Sequence, residues 1–464
     1  MKKIITAHVI CLVVLLGSSL PAAAELDFTL HRLEADMPGP TLLVVGGIQG
    51  DEPGGFNAAA LLVTNYRILK GSVWVVPNLN FISIINRSRG VHGDLNRKFA
   101  VIHQNDPEYN TITKIKKIIS NSDVDVVLNL HDGSGFYRPR HIDAAHNPNR
   151  WGQCIIIDQK QVRNTPYGNL EEIAGSVVAD INEHLYADEH RYHVKNTTTW
   201  RGDKEMEKTL TYFAVRNEKS SFGLETSKSF PTHTRAYYHL RALESFMDHL
   251  GISYERNFAI TTQGVKNAIN TNINLALYDN RIFLDVGNAR KRLGYVPLKK
   301  NAELVFTPSN PLLTVVNTGK GYRVFYGNRR ITRIHPEYLE YDLSIDGITM
   351  QVDGYEQDVP FGRIVDVGSA FKVESLPGYR VNVIGYTKPG VVNESGIFVR
   401  KHDIMKRFSV DRNGMLYRVE VYREKKFAGM VLVNFDKKFR NLRVAAPRKR
   451  ISLVQYVQPD NPLQ

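Results

Sequence analysis

Apolar runs of strand length alternate with stretches of helical spacing over the first half of the chain. The strand-like runs are "TLLVVGG", "GSVWVVPNLN", "DVDVVLNLH", "WGQCIIID" and "SSFGLETS", and the helix-like ones include "FNAAALLVTNYRIL" and "LEEIAGSVVADINEHLY". This alternation is typical of an α/β domain with a parallel or mixed sheet. The helical segment "HTRAYYHLRALESFMDHLG" ends in a glycine suited to a C-cap, so we expect this domain to span residues 25–250.

The hydrophobic pattern changes after residue 250, where helical spacing nearly disappears. Short β-branched and aromatic runs such as "NAELVFT", "LLTVVN" and "GYRVFYGN" lie between Gly, Asn and Pro turns. Further on, "YRVNVIGY", "YRVEVYRE" and "AGMVLVNF" recur at a spacing typical of a sandwich. We therefore predict two small, mainly β domains at 251–341 and 342–464, the second an Ig-like sandwich.

The first residues have the pattern of an export signal. Two lysines precede a short apolar run and three consecutive alanines, which together predict a signal peptide over residues 1–24. No later segment has about 18 consecutive apolar residues, so we expect no integral membrane segment after signal removal. The predicted location is the periplasm.

Cysteine content and net charge say little about function, but they bear on disulfides and binding partners. Cys154 is the only cysteine after residue 24, so no internal disulfide is expected, and its apolar neighbours predict a buried thiol. The formal net charge is +13, or +11 without the two lysines of the signal. A basic surface attracts polyanions such as an anionic cell wall, although solubility explains the charge as well. No nucleic-acid-binding motif is present, and we expect no such partner.

Polar residues follow two of the predicted strands. Gln49 and Glu52 lie three residues apart between a strand and a helix, and His131 directly follows the run that ends at Leu130. Glycines around the first pair let the backbone bend sharply there. Zinc sites that perform chemistry use three protein ligands and keep one position open. The alternative is that Glu52 is only an acid favoured by the helix dipole.

A basic loop and a strand glutamate add two further features. Arg87, Arg89, Asn96 and Arg97 lie within eleven residues, and an arginine with an amide is suited to bind a carboxylate. A solvated basic loop or a phosphate site explains the same arginines. Glu225 lies in an apolar strand, where partial burial would raise its pKa into the range of a general base. An outward-facing strand residue is the alternative.

Taken in order, these features resemble the zinc metallocarboxypeptidases related to carboxypeptidase A. The resemblance covers residues 40–245 and is carried by "QGDE", "PNLN" and "DLNR", followed by His131 and Glu225. Gln49 stands where the family pattern has histidine, a feature of the periplasmic peptidoglycan DL-carboxypeptidases that set helical cell shape. The resemblance implies an α/β carboxypeptidase-like domain, with a mixed central sheet flanked by helices.

The resemblance also implies a metal site and a catalytic pair. One Zn²⁺ per chain would be held by Gln49, Glu52 and His131. Glu225 would act as the general base, and Arg89 would stabilise the oxyanion, with Arg87 as the fallback for that role.

Substrate contacts are implied in the same way. Asn96 and Arg97 would bind the free carboxylate of the terminal residue. Trp151, together with Thr211 or Tyr212, lies where the family places residues that cover the substrate. Tryptophan burial at the base of a loop is the alternative for Trp151.

The implied reaction removes meso-diaminopimelate from a peptidoglycan tripeptide stem, leaves a dipeptide, and so influences cell shape. Other cell-shape proteins are possible partners under this hypothesis. Two alternatives stay open: an amide deacylase resembling the aspartoacylases, and a catalytically dead protein that binds wall peptides, as Gln49 would suggest.

Overall fold

A computed structural model describes residues 26–436. The predicted signal peptide lies outside the described residues, as do positions 437–464 of the predicted third domain. Within the described range, no helix is both long and apolar enough to cross a membrane.

The secondary structure changes from mixed to almost purely β along the chain. The α-helices of the described residues are α1 (Pro53–Asn65), α2 (Phe81–Asn86), α3 (Tyr109–Ile119), α4 (Leu170–Asn182), α5 (Leu210–Arg216), α6 (Thr232–Leu250) and α7 (Thr262–Asn270). Short 3-10 helices occupy Leu95–Arg97, Asp188–His190, Thr199–Arg201, Met206–Lys208, Lys401–Asp403 and Lys406–Phe408.

The strands fall into three groups along the chain. Those up to α7 are β1 (His31–Glu34), β2 (Met37–Val45), β3 (Tyr66–Val76), β4 (Val126–Gly133), β5 (Phe136–Tyr137), β6 (His146–Asn147), β7 (Cys154–Ile157), β8 (His193–Asn196), β9 (Ser220–Ser227) and β10 (Ser253–Arg256). The next group is β11 (Asn274–Leu277), β12 (Ile282–Asp285), β13 (Arg292–Lys299), β14 (Phe306–Pro308), β15 (Leu313–Asn317), β16 (Tyr322–Tyr326) and β17 (Arg329–Leu339). The last is β18 (Gly347–Val352), β19 (Tyr355–Pro360), β20 (Ile364–Asp366), β21 (Ala370–Val373), β22 (Arg380–Val383), β23 (Val399–Arg400), β24 (Leu416–Arg423) and β25 (Lys426–Asn434).

The first domain is built on an eight-stranded mixed sheet. Its order is β1-β3-β2-β4-β9-β7-β8, with β10 paired to β3 at the edge. The central strands β2, β4 and β9 are parallel neighbours, so their carboxyl ends meet at one edge of the sheet. Their apolar runs are nearly continuous because helices cover both faces. Apolar side chains of α1, α4 and α6 pack on one face and those of α3 and α5 on the other.

One local feature differs from the sequence expectations and another agrees with them. The segment "FNAAALLVTNYRIL" is not a single helix: α1 ends at Asn65, and Tyr66 begins β3. Burial then alternates, with Tyr66 and Ile68 buried and Arg67 and Leu69 exposed, which is the period of a strand. Cys154 is buried and free, and its burial agrees with the prediction.

The expected domain end at residue 250 divides the first sheet. β10 lies beyond that point and pairs antiparallel with β3, and α7 then packs against α6. A boundary after Asn270 keeps the sheet and its covering helix together, and we propose it in place of 250. The period-3.6 pattern of α7 spans only nine residues, which is too short to predict a helix clearly.

The remaining described residues form two β regions. The second domain combines the three-stranded sheet β12-β11-β14 with the four-stranded sheet β13-β17-β16-β15. The third has two four-stranded sheets, β19-β18-β21-β23 and β20-β25-β24-β22, that share one apolar core. This arrangement is a β-sandwich, while its Ig-like character stays a prediction.

Candidate active site

Three polar side chains converge at the carboxyl edge of the central sheet. Gln49 and Glu52 lie on the turn between β2 and α1, and His131 lies near the end of the adjacent strand β4. Nδ1 of His131 is 2.9 Å from Oε2 of Glu52 and 3.2 Å from Oε1 of Gln49. All three are buried, with at most 5% of each residue exposed. The three predicted ligands therefore come together.

Glu52 does not behave as a helix-capping acid. It occupies the N-cap position of α1, yet its side chain makes no capping hydrogen bond. Its Oε2 instead accepts a hydrogen bond from the backbone amide of Asp132, 3.1 Å away, next to His131. The side chain is thus aimed along β4 and towards the other two donors, contrary to the dipole interpretation.

Asp94 fixes which way the amide of Gln49 faces. Nε2 of Gln49 donates to Oδ1 of Asp94 at 2.8 Å, which leaves Oε1 facing His131 and Glu52. Burial alone would raise the pKa of Asp94, but the hydrogen bond from Gln49 and the charge of Arg89 outweigh it and lower that pKa. An ionised carboxylate on the amide nitrogen makes the amide oxygen a better donor to a cation.

The far nitrogen of His131 is held by two asparagines. Nδ2 of Asn129 is 2.8 Å from Nε2 of His131, and Nδ2 of Asn96 is 3.4 Å from the same atom. Oδ1 of Asn129 is buried and has no hydrogen-bond partner among the described residues. A cation at Nδ1 would leave the ring proton on Nε2, and a half-turn of the Asn129 amide would then give that proton the unused oxygen.

This donor set fits a metal ion with one unusual ligand. Within residues 26–436 no three His, Cys, Asp or Glu side chains are arranged to hold a metal, and this cluster contributes only Glu52 and His131 to such a set. The third donor is an amide oxygen, a neutral ligand that accompanies carboxylate and imidazole in metal sites. Burial lowers the pKa of His131, but the hydrogen bond and charge of Glu52 outweigh it and raise that pKa above the usual value.

Glu225 faces the ligand cluster from the neighbouring strand. It lies in β9 directly opposite His131 in β4, and it is only 8% exposed. Its Oε2 is buried without a hydrogen-bond partner among the described residues. Burial raises the pKa of Glu225 to about 8; the charge of Glu52 adds to this effect and that of His131 opposes it. An outward-facing strand position is therefore ruled out for this side chain.

The two candidate arginines point in different directions. Nη1 of Arg89 is 3.6 Å from Oε1 of Glu52, and its Nη2 is 2.9 Å from Oδ2 of Asp94. Arg87 instead donates from Nε to the backbone oxygen of Asn328, in the second domain, at 2.7 Å. Arg89 is the arginine beside the ligand cluster.

Asn96 and Arg97 stand beside the cluster on a short 3-10 turn. Asn96 is buried, and its Oδ1 accepts from the backbone amide of Leu210 at 2.9 Å, which fixes its amide group near His131. Arg97 is partly exposed, with Nε 3.6 Å from Oε2 of Glu205. A buried amide beside an exposed guanidinium is the arrangement expected of a carboxylate clamp at the mouth of a site.

The backbone of Trp151 lies close to Glu225. A side chain at Gly133 would overlap the backbone of Trp151 at 2.6 Å and Oε2 of Glu225 at 2.7 Å, so all three meet at one point. The ring of Trp151 is partly buried, with Nζ of Lys195 3.9 Å from its centroid. Gly133 is required here because any side chain would displace the carboxylate.

Thr211 is close to Asn96 but is buried. It lies in α5, and its hydroxyl is 3.1 Å from that of Thr209. Asp158 is a further partner of this threonine cluster, and its carboxylate accepts from Thr199. Tyr212 next to it is only partly buried. Neither side chain touches the ligand cluster.

Four residues of the site were missed in the sequence analysis. Asp94 is the first residue of the "DLNR" motif, and Asn129 lies two positions before His131 in the same strand. Asp132 follows His131 and accepts from the amide of Gly54. Nζ of Lys228, which follows β9, is 3.4 Å from Oε1 of Glu52. The position of Lys228 directly after a strand was a signal that could have identified it.

The fold and the site together define a metallocarboxypeptidase. A family profile described as the catalytic part of a carboxypeptidase controlling helical cell shape matches residues 1–270. A second, described as the C-terminal domain of a metallo-carboxypeptidase, matches residues 341–436. The chain belongs to the family of carboxypeptidases that control helical cell shape, and this family implies a metal cofactor.

Solved structures similar over nearly the whole chain come from Helicobacter pylori. The apo cell shape determinant protein Csd4 is 38% identical with a TM-score of 0.81, covering 88% of this chain and all of that one. The tripeptide-bound form of Csd4 has 39% identity and a TM-score of 0.80 at the same coverage. The mDAP-bound form, described as a D,L-carboxypeptidase, has 40% identity and a TM-score of 0.79, covering 86% and 97%. The comparison with curated proteins gave no match.

These similarities confirm the predicted family, the carboxypeptidase-like α/β domain with following β domains, and the predicted enzyme class. They also argue against a distant deacylase, because the similarity to Csd4 extends through the β domains as well.

Proposed function

We propose that this protein is a zinc-dependent DL-carboxypeptidase that releases meso-diaminopimelate from peptidoglycan tripeptide stems. The observation that carries the proposal is Oε2 of Glu225, which has no hydrogen-bond partner within residues 26–436 and lies beside the cluster of Gln49, Glu52 and His131. A protein that only binds wall peptides would have no use for a buried acid with a raised pKa and a free oxygen. Similarity to tripeptide-bound and mDAP-bound relatives supports the substrate class.

Glu225 acts as the general base and then the general acid. Its free Oε2 takes a proton from the attacking water as the water oxygen bonds to the scissile carbonyl carbon. The same proton passes to the amide nitrogen as the carbon–nitrogen bond breaks, which frees the amine of the terminal residue. Burial raises the pKa of Glu225 to about 8, and a carboxyl with a pKa closer to neutrality both takes and returns a proton more readily.

The metal site is formed by Gln49, Glu52 and His131. Zinc bound there would supply Lewis-acid polarisation of the water and the carbonyl. Asp94 directs the amide oxygen of Gln49 towards this position, which is the support for a working site despite the missing histidine.

The remaining polar groups orient the substrate. Arg89, beside Glu52 and half exposed, stabilises negative charge on the carbonyl oxygen as the tetrahedral species forms. Asn96 and Arg97 bind the free carboxylate of the terminal residue, which restricts cleavage to the last peptide bond. Trp151 and Thr211 define the sides of the pocket. Because Thr211 is buried, its part is to shape the wall near Asn96.

A periplasmic location follows from this function. The substrate lies in the cell wall, and residues 1–24 have the pattern of an export signal. Other cell-shape proteins are plausible partners for an enzyme that must act at particular places on the wall.

The experiment that tests the proposal is cleavage of purified tripeptide muropeptides by the full chain. Free meso-diaminopimelate is measured by mass spectrometry, with zinc present, after chelation, and after zinc is restored. We expect product that disappears on chelation and returns with zinc. Absence of product in the zinc-loaded protein would refute the proposal, and product that persists after the metal is removed would refute its zinc dependence.

A further inference from the structure

Three arginines lie side by side on the larger sheet of the second domain. Arg333 of β17 is directly opposite Arg292 of β13 on one side and Arg323 of β16 on the other. Neighbouring strands are about 4.8 Å apart, so the three Cα atoms span roughly 10 Å. We call Arg292, Arg333 and Arg323 the arginine row.

The arginine row has no counter-charge in the part of the chain that is described. None of its three guanidinium groups makes a hydrogen bond or an ion pair within residues 26–436. The next acid on the same face of β17 is Glu337, about 13 Å along the strand from Arg333. Like charges directly opposite each other destabilise a sheet. A row that weakens the isolated domain indicates a ligand that supplies the missing negative charge.

The row is on the accessible face of its sheet. The neighbours Leu293, Val324 and Ile334, which alternate with the arginines, are buried in the core. Because side chains alternate between the faces of a strand, the arginines point the other way. Arg292 is exposed, and the other two are partly exposed.

The hairpin of this sheet contacts the first domain near the loop that carries Arg87 and Arg89. The β16–β17 hairpin turns at Gly327 and Asn328, where a side chain on Gly327 would meet the ring of Phe56 at 2.9 Å. Asn328 accepts the hydrogen bond from Arg87, two residues before Arg89. Arg323 is five residues from Asn328, or about 17 Å along an extended strand. Arg330 is exposed and lies between the row and the turn.

We infer that the arginine row binds the carboxylates of the cell-wall polymer and holds the wall against the enzyme while a stem enters the active site. The inference rests on the proposed function. Charge complementarity supports it, because peptide stems carry several carboxylates and a glycan strand presents many stems in series. Guanidinium groups bind carboxylates in a bidentate manner, and a row of them suits a polymer better than a single small ligand.

The test compares two substrates with one variant. Arg292→Gln, Arg323→Gln and Arg333→Gln are combined in the full chain, and binding to isolated sacculi is measured by cosedimentation at low and high salt. We expect roughly tenfold weaker binding at low salt, since each exposed ion pair contributes modestly. Release of meso-diaminopimelate from sacculi should fall in parallel, while cleavage of a free tripeptide should stay unchanged. The thermal midpoint should not fall, because like-charge repulsion is removed.

A matched control separates the row from net charge. Lys388→Gln, Lys401→Gln and Lys425→Gln remove the same charge from exposed positions of the third domain and should leave sacculus binding unchanged. Arg330→Gln alone should weaken binding slightly, and because Arg330 is exposed, the change removes no buried contact on which folding depends. Sacculi with carboxylates converted to amides should bind the parent and the triple variant equally.

Two results would overturn the inference. One is equal binding of untreated sacculi by the parent and the triple variant at low salt. The other is loss of binding to phosphatidylglycerol vesicles with sacculus binding unchanged, which would assign the row to a membrane surface. Failure of the parent to cleave free tripeptide would count against the proposed function alone, since sacculus binding is read without catalysis.

Discussion

Buried charge is handled in opposite ways at the active site and in the third domain. Arg418 and Glu420 lie side by side on β24, both less than a tenth exposed, with NH1 and Oε1 3.2 Å apart. The hydroxyl of Tyr422 donates to the other oxygen of Glu420, and Arg418 donates to two backbone carbonyls of the second domain. At the active site Glu52 and Glu225 are both acids, and Oε2 of Glu225 has no partner among the described residues.

The difference separates a structural pair from a functional cluster. The charge of Arg418 and the hydrogen bond from Tyr422 offset part of the desolvation of Glu420, although burial still raises the pKa of Glu420. Arg418 also joins the third domain to the second through its two backbone acceptors. At the sheet edge Glu52 has Arg89 and Lys228 beside it, whereas Oε2 of Glu225 has no hydrogen-bond partner among the described residues and is free to take a proton. A buried acid with an oxygen that has no partner is therefore a better marker of function here than burial alone.

The largest expected effect comes from removing the unpaired acid. Glu225→Gln should lower kcat/KM for a tripeptide stem by about a hundredfold to ten-thousandfold, because the proton acceptor is lost. Metal affinity and the thermal midpoint should be retained, since Oε2 of Glu225 makes no hydrogen bond in the described part of the chain. Steady-state kinetics and thermal unfolding measure the two.

The matched control is Glu244→Gln. This buried carboxylate is paired with Arg256 and accepts from the hydroxyl of Tyr66, so the change should lower stability and leave kcat/KM unchanged. Equal losses of stability in Glu225→Gln and Glu244→Gln would show that the unpaired acid and the paired acid do not differ in their contribution to folding.

The next largest effect is expected on stability, when the buried pair of Arg418 and Glu420 is broken. Arg418→Met leaves Glu420 buried without its cation and should reduce the free energy of unfolding by about 3–5 kcal/mol. The double variant with Glu420→Met should recover part of this loss, and tripeptide cleavage by the folded protein should be unchanged. Denaturant unfolding measures the effect, and a double variant no more stable than the single one would argue against charge as the cause.

A smaller effect is expected from the residue that orients the glutamine. Asp94→Ala removes the acceptor for Nε2 of Gln49 and should weaken zinc binding about tenfold to a hundredfold. Competition with a chelator measures the affinity. Asp106→Ala, at a carboxylate that pairs with Lys98 instead, is the control and should not change it. Unchanged affinity in Asp94→Ala would mean that the amide orientation is set by other contacts.

The smallest expected effect concerns His31, a partly buried ionisable group that forms no ion pair among the described residues. Burial lowers the pKa of His31 to about 4, below its ordinary value of 6.5. The folded state therefore favours the neutral ring, so this contribution to stability is present above pH 6.5 and is lost as the pH falls towards 4. His31→Gln should reduce the loss of thermal stability over that pH range, whereas replacing the exposed His402 should not. Identical pH profiles for both variants would contradict the assignment.

Much of the site was predictable because it follows from strand ends. Gln49 and His131 come directly after long apolar runs, and parallel strands bring their carboxyl ends together. Glu225 was visible as a charge within an apolar strand. The ordered motifs then gave the family, which the comparisons confirm.

The rest depends on contacts between residues distant in the sequence. Arg87 and Arg89 are two positions apart, and only the position of the second domain shows that Arg87 faces Asn328. The sheet continues to β10 because that strand finds an open edge of β3, which no local pattern reveals. The arginine row arises only from strand register, since its three members are 31 and 10 residues apart in the sequence.

The turn that carries Gln49 also sets limits on redesign. A side chain at Gly50 would come within 2.1 Å of the backbone of Ser83 in α2, so this position admits glycine alone unless the helix moves. Gln49 projects away from that contact and towards the cluster. The metal preference of the enzyme could thus be changed by exchanging the donor atom at Gln49. Gly50 should be kept, because it preserves the backbone geometry of the turn.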